Sequence, residues 1–116
     1  MSLSAQPVAH PRPARLAAEL VRGGAALVVV GSTARALLDP RVEPADLDVA
    51  VADDDLDALV GALARVGVPA SGVSLRRARV VSLSTAWGPL DVFVGAVPPC
   101  TAVEVDGVVL AVEVPR

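Results

Sequence analysis

The residue types best suited to chemistry fall in two short stretches and at one isolated acid. Asp46-Leu47-Asp48-Val49 alternates carboxylate with apolar side chain. In an extended strand, residues i and i+2 share a face. The two acids therefore stand roughly 7 Å apart at Cα and can converge on one or two hard cations, which prefer carboxylate oxygen. Val30-Gly31-Ser32 lies where an apolar run gives way to a helical pattern. Glycine there permits close backbone approach, and the free N–H groups of a helix start favour an anion such as phosphate. Leu90-Asp91-Val92 sets a third carboxylate within an apolar strand, where it must point off the core side or be paired. Taken singly, each has a plainer reading: a turn with its N-cap, the solvated face of an amphipathic strand, a surface acid.

The elements that must position these residues are legible from periodicity. Residues 1–12 are polar and proline-rich and read as a flexible arm ahead of a single domain, 13–116. From Pro13, Leu16, Leu20 and Val21 mark an amphipathic helix ended by Gly23-Gly24. Ala25 to Val30 is a β-branched apolar run, expected as a strand buried on both faces. Ser32 is expected to N-cap a short helix reaching about Leu38, stopped by Asp39-Pro40. Asp46 to Ala52 alternates, with Leu47, Val49 and Val51 toward the core and Asp46, Asp48 and Ala50 away from it. Asp53, Asp54, Asp55 and Asp57 are expected to cap and complement a helix running to about Val66, ended by Gly67. From Arg76 the period becomes two. Ala78–Ser84 and Leu90–Val94 read as strands joined through residues 85–89. Thr101–Val105 and Val108–Val114 flank Asp106-Gly107, a strong hairpin signal. The fold class is thus α/β (α+β): a mixed, mostly antiparallel sheet with helices packed on it.

Together the three chemical features resemble the nucleotidyltransferase superfamily typified by DNA polymerase β. Its pattern is an apolar residue, Gly, then Gly or Ser, a spacer, then Asp-apolar-Asp/Glu-apolar, with a third acid on a later strand. Here Val30-Gly31-Ser32 is followed by thirteen residues, 33 to 45, then by Asp46-Leu47-Asp48-Val49, and Asp91 comes 43 positions after Asp48. The resemblance covers roughly residues 13–95. It implies that Asp46, Asp48 and Asp91 are catalytic and hold two Mg²⁺ ions, and that Gly31 and Ser32, with Arg35 nearby, meet the phosphates of an NTP substrate. The implied reaction transfers a nucleoside monophosphate to a hydroxyl of a protein, a tRNA or a small molecule, with Asp91 helping to deprotonate the attacking oxygen. Small members carry Arg directly after Gly-Ser, where this chain has Thr33. Larger members append a helical domain. The chain is similar to minimal stand-alone nucleotidyltransferases, including those of toxin–antitoxin pairs, which implies a homo-oligomer or a helical protein partner.

Composition narrows the alternatives. The 116 residues are 53% hydrophobic and 20% charged, which excludes a disordered chain, yet no run approaches the 18 apolar residues of a membrane span. All ten basic residues are Arg, so P-loop, Schiff-base and protein-kinase lysine chemistry is excluded. With thirteen acids the net charge is −3, which disfavours nonspecific duplex binding and leaves nucleic acid only as an acceptor. His10, the one histidine, sits between prolines near the start and is poorly placed as a general base. Cys100, the one cysteine, excludes a disulfide framework and is expected as a small buried filler. No signal-peptide pattern opens the chain, so a cytoplasmic location is expected. Arg76, Arg77 and Arg79 read as a solvated strand edge or a triphosphate contact, and Trp87 as a stacking residue or a cover for the sheet end. A rival reading keeps the fold and its acids but makes the chain a catalytically silent module that acts by binding another protein.

Overall fold

The computed structural model describes residues 10–115. Its elements are α1 (Arg12–Arg22), β1 (Val28–Val30), α2 (Gly31–Leu38), β2 (Leu47–Val51), a 3-10 turn (Asp53–Asp55), α3 (Leu56–Arg65), α4 (Gly72–Ala78), β3 (Val80–Thr85), β4 (Gly88–Val94), β5 (Cys100–Val105) and β6 (Val108–Glu113). The six strands form one sheet in the order β3-β4-β2-β1-β6-β5. β1–β2, β3–β4 and β5–β6 pair antiparallel, whereas β2–β4 and β1–β6 pair parallel. Each late hairpin thus joins the early strands through a parallel seam. The fold is mixed α/β with a mostly antiparallel sheet, as expected.

One face of the sheet carries the core. Leu47, Val49 and Val51 of β2, Leu90 and Val92 of β4, and Leu110 and Val112 of β6 are buried at alternate positions. Leu16 and Leu20 of α1 and Leu56, Leu59 and Leu63 of α3 complete it at helical spacing. Full burial of each such side chain stabilises by roughly 1.5–3 kcal/mol. The opposite face therefore receives Asp48, Ala50 and Asp91. Among the described residues no helix is long and apolar enough to cross a membrane.

Several sequence expectations are corrected. The first strand is Val28–Val30, because the Ala25 N–H bonds back to the Leu20 carbonyl and holds 25–27 against the end of α1. Helix α1 starts at Arg12 after Pro11, inside the expected arm, and residues 1–9 of that arm lie outside the described residues. A whole helix, α4, replaces the expected start of β structure at Arg76 and is capped by Ser71, whose Oγ accepts from the Ser74 N–H. Arg76 and Arg77 therefore lie on a helix. The acids before α3 form a 3-10 turn without side-chain capping bonds. Asp53 instead accepts from Arg79 Nη1 at 2.8 and 3.0 Å, and its backbone carbonyl accepts from Arg76. Cys100 opens an edge strand and is exposed, not buried.

Candidate active site

The parallel β2–β4 seam sets Asp48 directly beside Asp91, with Val30 opposite Asp48 on β1 and Ser82 opposite Asp91 on β3. Residues 43 positions apart in sequence thereby become lateral neighbours on the helix-free face, a strand spacing of about 4.8 Å apart. Asp46 lies just before β2, in the loop that delivers the strand.

Electrostatics at this pair are those of crowded carboxylates. The Asp48 pKa is raised above its ordinary value, first by burial, then by the negative charges of Asp91 and Asp46, and finally by a hydrogen bond with Asp91. Among the described residues no group of three or more His, Cys, Asp or Glu side chains is gathered tightly enough to hold a metal on its own. Asp46 thus adds charge at longer range while Asp48 and Asp91 form the close pair. That donor set suits Mg²⁺, which is bound through one or two carboxylates completed by water and substrate phosphate.

The N-terminal turn of α2 is built against the same pair. Gly31 has φ +69°, and a Cβ placed there would lie 2.6 Å from Asp48 Oδ2. Only glycine allows both the left-handed backbone and that approach. Ser32 is not the N-cap: Val30 holds that position without a side-chain bond, and Ser32 Oγ accepts from the Ala45 N–H at 3.1 Å. Thr33, fully buried, donates its hydroxyl to the Asp46 carbonyl at 2.8 Å. Two adjacent hydroxyls on α2 thus clamp the loop residues 45–46 that precede Asp48. Thr33, which reads in sequence only as a departure from the nucleotidyltransferase pattern, fixes the loop that carries Asp46.

Arg35 is not brought to the acids. It is exposed and lines a separate recess of about 550 Å³ between α2 and the end of β6. Arg79 is engaged by Asp53, and Trp87 packs against the core with its backbone N–H on Thr85 Oγ1, covering the sheet end. A residue that the sequence did not flag does reach the site. Glu113, at the end of β6, borders a cleft of about 610 Å³ that also includes Gly31, Asp48 and Phe93. The clue would have been the parallel pairing of β1 with β6, which carries Glu113 to the site end of the sheet. In comparisons with family models, curated proteins and solved structures, nothing matches this chain.

Proposed function

We propose that this chain is a Mg²⁺-dependent nucleotidyltransferase that moves a nucleoside monophosphate from an NTP to a hydroxyl on a protein, a tRNA or a small molecule. The observation that carries the reading is the lateral pairing of Asp48 with Asp91 beside the left-handed Gly31 turn that opens α2. Asp48 and Asp91, with Asp46 adding charge, would hold the cation. When bound, Mg²⁺ would neutralise charge on the phosphates and stabilise the oxygens that enter and leave phosphorus. The unpaired N–H groups of the first turn of α2 would face the phosphates, as helix N-termini suit anions. Asp91 would take the proton from the attacking hydroxyl. The new bond joins that oxygen to the α-phosphorus, the α–β bridge breaks, and pyrophosphate departs.

Calorimetry tests the assembly of this site. Crowded carboxylates repel a triphosphate until a cation arrives, so NTP affinity is expected to depend strongly on Mg²⁺. Equal affinity with and without Mg²⁺ would contradict the reading. The second reading, a silent binding module, is favoured by the exposed apolar side chains Val80, Phe93, Val97 and Val109, which suit a second copy or a helical partner. A role in a toxin–antitoxin pair belongs to either reading. Full Mg²⁺-independent behaviour combined with stable complex formation would select the second.

A further inference from the structure

The connection from β4 to β5 has an unusual task. β4 lies second from one edge of the sheet and β5 forms the other edge. Residues 95–99 must therefore pass β2, β1 and β6, four inter-strand gaps or roughly 19 Å. Six peptide steps reach at most about 21 Å, so the strap is nearly straight, and Pro98-Pro99 favours that extended form. Its start is pinned where the Gly95 N–H donates to the Val51 carbonyl, and its end where the Val114 N–H donates to the Pro99 carbonyl. The strap runs over the helix-free face. That explains why Ala50, which points away from the core, is only 4% exposed.

Between strap and sheet lies the cleft that begins at Gly31 and Asp48. Its walls are Phe93 on the sheet and Val97, Pro98 and Pro99 on the strap, and Glu113 stands at its margin. The cleft is shallow and open to solvent, with a volume of about 610 Å³. Phe93 remains 39% exposed. The Glu113 side chain has no hydrogen-bond or ion-pair partner among the described residues, and β1 separates its strand from that of Asp48, a span of roughly 9.6 Å.

Resting on the transferase reading, we infer that this cleft holds the nucleoside half of the substrate, with the base against Phe93 and the proline strap. Asp48 on β2 stands between Phe93 on the adjacent β4 and Glu113 two strands away on β6. A nucleoside whose base lies on Phe93 therefore brings its phosphates to Gly31 and Asp48 and stops short of Glu113, about 14 Å across the strands from Phe93.

Calorimetry on the full chain in Mg²⁺, with inorganic tripolyphosphate, ATP, GTP and their 2′-deoxy forms, tests this. At least one NTP is expected to bind about tenfold or more tightly than tripolyphosphate. Phe93→Ala, and the volume-sparing Phe93→Leu, should remove most of that difference while leaving tripolyphosphate affinity unchanged. Glu113→Ala, on the other side of Asp48 from Phe93, should leave the difference between NTP and tripolyphosphate unchanged. Tripolyphosphate binding as tightly as every NTP would overturn this inference and leave the transferase reading standing. Binding of neither would overturn both. Parallel losses of tripolyphosphate and NTP affinity in the Phe93 variants would also overturn it, by showing that Phe93 supports the fold alone.

Discussion

Asp48 holds its proton more tightly in the folded chain than in the unfolded one, because burial and the charges of Asp91 and Asp46 oppose its ionisation. Below the ordinary aspartate value of 3.8 both states are protonated and the site costs nothing. Above it the unfolded chain releases its proton first, so stability falls with rising pH until the folded site ionises as well. Asp48→Asn is therefore expected to be more stable than the parent at pH 7, with the advantage gone at pH 3. Denaturant midpoints at the two pH values check this, and equal midpoints at pH 7 would contradict it. Gly31→Ala moves the other way. A left-handed backbone costs a non-glycine residue roughly 1–2 kcal/mol, and the added Cβ would push Asp48 Oδ2 from its place. The expected outcome is that loss of stability together with a larger loss of Mg²⁺-dependent NTP affinity, read from the same melts and calorimetry.

At the scale of elements, stability and site are divided between different contacts. Leu75, the one buried residue of α4, anchors that helix under the sheet, while Arg79 at the end of α4 and Asp53 in the 3-10 turn ahead of α3 form an exposed bridge. Leu75→Ala should cost about 2–5 kcal/mol and Asp53→Asn under about 1 kcal/mol, measured by urea unfolding. The reverse order would mean that the bridge, not the buried leucine, holds α4. This helix was illegible in sequence because seven residues with a single buried side chain leave no 3.6-residue period. β2 was legible because Leu47, Val49 and Val51 alternate with residues of the other face. The last hairpin was legible because Asp106 and Gly107 both take positive φ, the turn that such a dipeptide favours. Ser32 is not a cap because its hydroxyl accepts from a loop residue thirteen positions away, a pairing that no local pattern encodes.

For the whole molecule, the sheet order does what no single element does. Inserting β4 next to β2 brings Asp91 to Asp48, and closing β6 onto β1 brings Glu113 to the margin of the same cleft. The three acids could be singled out in sequence because their spacing follows a pattern. Glu113 and the strap could not, since they depend on parallel seams between distant segments. The most direct measurement of the central claim is transfer of label from NTP in Mg²⁺ to protein, tRNA and small hydroxyl acceptors, comparing nucleotides labelled at the α- or γ-phosphate. Label from the α-position alone is expected to reach an acceptor, with activity reduced by several orders of magnitude in folded Asp48→Asn and Asp91→Asn. Transfer from the γ-position, or α-label transfer that survives both substitutions, would contradict it.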